Sequence, residues 1–489
     1  MKAWIKARIR VGVMEDGVRK LFLAAVLTAA GAAHAQEPPA DPHRLALAAG
    51  YKAAFLCSGR WNAGQNEAAI TRDDLSGIYR EYQPLVNRLP AVVDEQARTV
   101  SVKFAESLPP RIAVWRPLLG CAQLPVGAQM EAARHVPRLA PGTERPDLRA
   151  TDARAWPLGD AGAVQPLKSR RQRAALHAVV LRAFSDAYRS DKTTAVIVLK
   201  DGQIVSETYR DGWTMHTPQR TWSVAKSLAA TLVGRAVQIG LVDVNKPAPV
   251  PPWRSPGDPR AAITWNQLLR MNSGLWTAGP GNRTDEAYLG GATVMQTAAT
   301  MPLEHAPGTQ FNYSNNDIML AGMALSRTLR RGALAFPFTE LLWKAGMTRT
   351  TPETDWRGDF ILSSQVWMTA RDLARLALLY QNGGKVGDDQ LLPPDWPAFV
   401  ERAEATQPAN VATGGPGDGA GFWRWGGQGG NEQVPGLPAG TYAMNGNRGQ
   451  FAVIVPGQNI IVIRRGFDHV GAGFDMPRFA VDVVDIFKK

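Results

Sequence analysis

The chain has 489 residues, 45% of them hydrophobic and 20% charged, a balance that excludes a low-complexity or disordered protein and fits a soluble globular one. That length exceeds what one hydrophobic core ordinarily supports, so two domains are expected. A formal net charge of +12 would suit polyanions or an anionic envelope surface, but the export argued next removes nucleic acid from the expected partners.

Near the N-terminus, Arg19 and Lys20 precede an apolar run of 13 residues, 21–33, and then Ala33-His34-Ala35 before Gln36. A basic region, a short apolar run and an A-x-A site describe a bacterial-type secretory leader, residues 1–35, cleaved after Ala35, with Met14 an alternative start; a buried N-terminal helix is the competing reading. The run is too short to span a bilayer and stay there. A periplasmic or secreted protein is therefore expected, and losing the six basic and two acidic side chains of the leader leaves a net charge of +8. The only cysteines are Cys57 and Cys121. In an oxidising compartment such a pair usually joins, here closing a loop of 64 residues and contributing about 4 kcal/mol by loop entropy; two buried thiols are the alternative. The seven histidines are scattered, with no Cys or His at ligand spacing from another, so no metal is expected and no cofactor is implied.

Residues 36–135 read as a small α+β N-terminal domain. A helical pattern over 45–55 leads to Cys57, a second helix is expected after Thr71 with its hydroxyl as cap, 99–104 alternates as a strand, and 111–115 precedes Cys121. Residues 136–166, rich in Pro, Arg and Gly without an apolar period, read as a linker or wrapping segment. A last unit, 167–489, opens with a helix over 171–188, whose basic start (Lys168, Arg170, Arg171, Arg173) reads as a solvated helix end. Runs 194–199 and 203–209 flank Lys200-Asp201-Gly202, a strong hairpin signal. A helix over 262–271 and a hairpin of 451–455 with 460–464 follow, and an amphipathic helix begun by Asp475 and Pro477 closes the chain. Strands at both ends with helices between imply an antiparallel sheet assembled from distant parts and flanked by helices, an α+β sandwich. The glycine-rich stretch 414–430 carries Phe422-Trp423-Arg424-Trp425; it reads as a mobile loop that could roof a pocket or as a surface loop with packed tryptophans.

Chemistry centres on Thr221-Trp222-Ser223-Val224-Ala225-Lys226-Ser227. Ser223 is the only serine followed three residues later by lysine, and an apolar run behind it predicts a helix that starts here. Positions i and i+3 share a helix face, so the Ser223 hydroxyl and the Lys226 amine can meet. Serine needs a base, an amine lowered by burial can serve, and a helix N-terminus offers N–H groups for an oxyanion. Three further stretches bear on this pair: Pro307-Gly308-Thr309-Gln310-Phe311-Asn312-Tyr313-Ser314-Asn315, Asn445-Gly446-Asn447-Arg448-Gly449-Gln450, and Arg270-Met271-Asn272-Ser273-Gly274-Leu275. In an extended segment Tyr313 and Asn315 point the same way, the first able to share a proton with a lysine and the second to hold a carbonyl. No Gly-x-Ser-x-Gly elbow is present, which argues against a lipase-like site.

In these motifs, and in their order from about residue 196 to 487, the chain resembles the serine β-lactamase and penicillin-binding-protein superfamily. Tyr313-Ser314-Asn315 is similar to the Tyr-x-Asn element of class C β-lactamases and their esterase and amidase relatives, and Gly446-x-x-Gly449-Gln450 with Ser363-Ser364 and Thr369-Ala370-Arg371-Asp372-Leu373 looks most like aminohexanoate-dimer (nylon-oligomer) hydrolases. The resemblance implies a β-lactamase/transpeptidase-like fold for 167–489. It makes Ser223 the nucleophile, Lys226 its base and Tyr313 the proton shuttle to the leaving group. Asn315 would orient the substrate, and an oxyanion hole would form from the amides of Ser223 and Asn447 beside Gly446. It also implies a small-molecule amide, ester or peptide substrate. Where β-lactamases and D-Ala-D-Ala peptidases carry Lys-Thr-Gly, this chain reads Met444-Asn445-Gly446, so the groups that hold a β-lactam carboxylate are missing unless Arg448 replaces them. Three readings stand: an exported amidase or esterase, a β-lactamase or D-Ala-D-Ala carboxypeptidase, and a penicillin-recognising sensor without turnover.

Overall fold

The central sheet is built where the sequence is most strongly β-branched. The computed structural model describes residues 41–277, 284–403, 406, 417–426 and 434–488; the expected leader, 1–35, lies outside the described residues, as do parts of the glycine-rich stretch 414–430. Strands β1 (Thr193–Lys200) and β2 (Gln203–Tyr209) form the first hairpin, turning at Asp201 and Gly202, both with positive φ. Strands β3 (Gly417–Asp418), β4 (Trp423–Arg424), β5 (Tyr442–Gly446), β6 (Gln450–Val455) and β7 (Ile460–Gly466) come from the far end of the chain. Spatial order is β3-β4-β5-β6-β7-β1-β2, antiparallel throughout, with Val198 opposite Val462 and Met444 opposite Ala452. The anticipated sheet of distant parts is what forms.

Side chains on a strand alternate between faces, and here both faces are covered. Ile197, Leu199, Ile461, Ile463 and Met444 enter the larger core, which also contains helices α1 (Val224–Gln238), α2 (Asn315–Leu329) and α3 (Ala370–Gln381). Val196, Val198, Val453, Val455 and Val462 enter a second core under the helices Arg170–Arg182 and Met476–Asp485. The result is helix–sheet–helix layering, the α+β sandwich expected. The C-terminal helix is capped by Asp475 as its sequence implies. The expected 171–188 helix is capped by Ser169 and ends at Arg182, and a separate turn, Asp186–Tyr188, capped by Ser185, follows. The expected 262–271 helix is confined to Trp265–Leu269, because a Thr264/Gln267 capping box starts it late.

N-terminal to this lies a four-stranded antiparallel sheet (Ala91–Asp94, Thr99–Val102, Arg111–Arg116, Gly120–Gln123) against the helix Pro42–Trp61. The second helix is not capped by Thr71. It runs Glu67–Asp73, because Asn66 caps the Ala69 amide at 2.9 Å and so sets the start five residues earlier. Cys57 and Cys121 are disulfide-bonded. Buried Glu353 accepts from Ser58 Oγ at 2.6 Å, Asn62 Nδ2 at 2.8 Å and the Cys121 amide at 2.9 Å, while buried Arg111 donates to the carbonyls of Ala46, Leu124 and Leu289. These polar bridges tie the N-terminal sheet to the remainder, and Asp41–Lys489 is one compact unit. Residues 136–166 wrap the same unit: Arg375 donates to the carbonyls of Pro157 and Gly159. No described helix is long and apolar enough to cross a membrane.

Replacing both Cys57 and Cys121 by alanine should lower unfolding free energy by about 2–5 kcal/mol, read from urea unfolding as a lower midpoint with a slope that rises as the unfolded chain loses its cross-link.

Candidate active site

The site is assembled at the N-terminus of α1. Ser223 caps that helix with φ −67° and ψ −7°, yet its side chain makes no capping bond, so the hydroxyl is not spent on the backbone. One turn on, Lys226 is buried at 2% exposure. Its Nζ lies 3.1 Å from Ser223 Oγ, 2.6 Å from Asn315 Oδ1 and 3.0 Å from the Ser363 carbonyl oxygen. Burial lowers the amine to about 7, against an opposing pull from Asp418. A neutral amine has two N–H donors and one lone pair. Two donors satisfy Asn315 and Ser363, and the lone pair then faces the serine proton.

The turn before Ser223 is held under strain. Trp222 has φ +51°, a left-handed conformation that costs a bulky residue about 1–3 kcal/mol. The Arg220 guanidinium stacks 4.1 Å from the Trp222 ring centroid and 4.7 Å from that of Phe55, and donates to Ser364 Oγ at 2.9 Å. Opposite, the end of β5 presses on this turn: a Cβ on Gly446 would overlap the Thr221 carbonyl oxygen. Glycine at 446 therefore permits the strand edge carrying Asn445 and Asn447 to reach the turn that precedes Ser223.

Tyr313 and Asn315 both face the cavity, as their spacing suggests, although Asn315 is the first residue of α2 and Ser314 between them is its extended N-cap. The Tyr313 ring centroid is 4.8 Å from Lys226 Nζ, and its ring stacks on Trp423 at 5.8 Å. Burial pushes the Tyr313 phenol well up, partly offset by its hydrogen bond with Ser223, so it is protonated at neutral pH. The Asn315 carboxamide is committed to Lys226 and to Thr284 Oγ1, to which Nδ2 donates at 3.1 Å. Asn447 Nδ2 donates to the Tyr79 hydroxyl at 3.3 Å, and Asn447 Oδ1 accepts from the Arg448 amide at 2.8 Å.

Arg448 does not replace the missing cation. Its guanidinium is buried and points away from the cavity, donating to the carbonyls of Asp73, Asp74, Ser76 and Asp468. Those carbonyls converge on one position, and a guanidinium satisfies all of them with a single planar group.

A cavity of about 610 Å³ opens over Ser223. Tyr79, Trp222, Tyr288, Tyr313, Trp423 and Phe451 give it aromatic walls, Asn315, Ser364, Asn445 and Asn447 supply polar edges, and no charged side chain is among its described lining residues. Trp423 was accessible to sequence reasoning only as part of an aromatic-bearing loop. Tyr79, Tyr288 and buried Asp418 were missed altogether, since no spacing relates them to residue 223. The described residues also bring Asp152, Asp160 and His216 within ligand reach of one another. Arg349 donates to both Asp152 oxygens at 2.7 Å, however, and Arg371 and Arg375 hold Asp160, so arginines already neutralise the carboxylates a cation would need.

Fold and site together define a hydrolase scaffold with a serine at a helix N-terminus. Residues 189–464 match the Beta-lactamase family, and the chain belongs to that family. Among solved structures, it is 19% identical to a Bacillus anthracis protein assigned as a 6-aminohexanoate-dimer hydrolase (TM-score 0.50, covering 60% of this chain and 79% of that one). It is 18% identical to a Bacteroides dorei DSM 17855 protein assigned as a beta-lactamase (TM-score 0.52, covering 63% and 97%). It is 16% identical to EstCE1, a hydrolase with promiscuous acyltransferase activity (TM-score 0.52, covering 65% and 98%). At these identities the likeness is one of fold. No curated protein matches the chain.

Because the lone pair of Lys226 is free only when the amine is neutral, labelling of Ser223 by a fluorophosphonate should rise with pH through about 7 and then level off. Lys226→Met should remove that rise and slow labelling by about 10²–10⁴-fold, measured by intact mass against time at each pH.

Proposed function

We propose that this chain is a serine hydrolase that cleaves uncharged esters or amides through an acyl-enzyme on Ser223. The observation that carries the reading is the desolvated Lys226 amine held against Ser223 Oγ at the floor of a cavity without a charged side chain among its described lining residues.

Ser223 Oγ attacks the substrate carbonyl carbon while its proton passes to Lys226 Nζ. The developing oxyanion is met by the amides of Ser223 and Asn447, one at a helix N-terminus and one at the strand edge that Gly446 lets approach. Tyr313, a protonated phenol in contact with Ser223, gives its proton to the departing alkoxide or amine and is replenished from Lys226. Water, deprotonated at the same Lys226–Tyr313 pair, then attacks the acyl ester, releases the acid and restores the Ser223 hydroxyl. Asn315 acts through Lys226, holding the amine in line, and its place on the cavity wall lets it meet the substrate as well.

The β-lactamase and D-Ala-D-Ala peptidase readings need a cation for the substrate carboxylate, and the turning away of Arg448 weighs against them. Export fits the leader-like residues 1–35 and the disulfide; N-terminal sequencing of protein from a secreting host should begin at Gln36.

Purified protein and Ser223→Ala should be given a nitrophenyl ester, a chromogenic cephalosporin and a linear aminohexanoate dimer. Turnover of the uncharged ester, absent in Ser223→Ala and far exceeding turnover of the anionic cephalosporin and of the zwitterionic dimer, is expected. Faster cephalosporin hydrolysis, or an acyl adduct that accumulates without turnover, would sink the proposal.

A further inference from the structure

The family match begins at residue 189, yet one wall of the cavity comes from well before it. The stretch 70–79 is fastened to the loops beside the nucleophile from several directions. Arg448, in the turn after Asn447, donates to the carbonyls of Asp73 at 2.9 Å, Asp74 at 3.2 Å and Ser76 at 2.6 Å. Arg210 pairs with buried Asp73 at 2.6 Å, and the Val470 amide donates to the Gly77 carbonyl at 2.9 Å. Gly77 has φ +65°, and a Cβ there would strike the His469 ring, so the chain lies flush against that loop. The consequence is the placement of Tyr79, half-buried and lining the cavity. Its hydroxyl accepts from Asn447 Nδ2 at 3.3 Å, and its ring stands edge-on to Tyr82 at 6.4 Å. Tyr82 is itself tethered to Asp285 Oδ2 at 2.5 Å. Both ends of the Tyr79 side chain are therefore oriented before any ligand arrives.

We propose that Tyr79 is a specificity-determining residue: it forms a subsite for an aromatic or planar apolar group of an uncharged ester or amide, supplied to the catalytic domain by the N-terminal segment. The proposal rests on the hydrolase reading above and extends it to substrate class. An aromatic face held rigidly beside Trp222 and Tyr288 rewards a flat apolar group by burial and ring–ring contact, and with no charged side chain among the described lining a charged group would lose its hydration without recompense. Arg448 gains a reason to be where it is, since the cation that would have served the substrate instead fastens the segment that replaces it.

The test compares wild type, Tyr79→Ala and Tyr79→Phe on two ester series. One varies the acyl group under a constant nitrophenol (acetate against phenylacetate), and the other varies the alcohol under constant acetate (methyl against benzyl). Wild type should favour the aromatic member in at least one series. Tyr79→Ala should raise KM for that member by about tenfold with kcat and the small ester little changed, and Tyr79→Phe should retain the preference; the series that responds locates the subsite. Fluorophosphonate labelling of Ser223 and the melting temperature serve as controls for an intact site. If labelling persists and the aromatic preference is the same in all three proteins, or wild type has none, the Tyr79 proposal is overturned while the hydrolase reading stands. If wild type is neither labelled nor active on any ester, both fall.

Discussion

The structure depends on keeping one amine out of water. Lys226 would ordinarily be charged, and removing its hydration costs several kcal/mol unless acceptors surround it or it gives up its proton. Here the compromise is a lowered proton affinity together with three oxygens at hydrogen-bond distance. Each oxygen arrives on a different element: Ser223 on the same helix, Asn315 at the start of α2, and the Ser363 carbonyl on a loop whose hydroxyl is in turn bonded to Tyr288 at 2.6 Å. The amine stays dry only while α1, α2 and that loop are packed together, so the reactivity of the serine is coupled to the integrity of the larger core.

Strain and support at the nucleophile form a second layer of the same dependence. The left-handed tryptophan immediately before Ser223 is packed in a triangle, its ring against the Arg220 guanidinium at 4.1 Å and against Phe55 of the N-terminal helix at 5.9 Å, with Arg220 also meeting Phe55 at 4.7 Å. The same N-terminal segment supplies Tyr79 to the cavity rim. Two separate contacts thus run from residues before the family match into the site. Within the described residues 41–135, the helix that carries Phe55 and the stretch that ends at Tyr79 both reach the site.

Charge is placed away from the described lining of this cavity. The chain is strongly basic, and several of its arginines are buried as fasteners rather than displayed. Arg111, Arg448 and Arg465 each collect backbone carbonyls, and Arg464, which binds the Gly449 carbonyl, forms a buried pair with Asp468 at 2.7 Å. A guanidinium used in this way is unavailable to a ligand. The described lining residues of the cavity are aromatic rings, neutral amides and hydroxyls with no charged side chain among them, a mostly apolar wall with a few polar groups.

Much of the site was legible because its chemistry is local. Ser223 and Lys226 are three apart on a helix and Tyr313 and Asn315 two apart at a helix start, and such spacings bring side chains together whatever the rest of the chain does. The hairpin at Asp201-Gly202 and the Asp475 cap were readable for the same reason: each is decided within a few residues. Thr71 shows the limit, since the cap expected there is displaced by Asn66, five residues earlier, whose side chain holds the Ala69 amide. By itself, then, the sequence determined that Ser223 and Lys226 share a helix face, that Tyr313 and Asn315 lie two apart beside a helix start, and that helices flank an antiparallel sheet, while the pairing of Cys57 with Cys121 over two buried thiols came with the structure. Tertiary structure alone decided that Arg448 turns inward, that Gly446 is needed to admit a strand edge, and that Tyr79, Tyr288 and Asp418 meet around residue 223. Desolvation, close approach and cavity walls are properties of segments hundreds of residues apart brought to one place, and no local spacing encodes them.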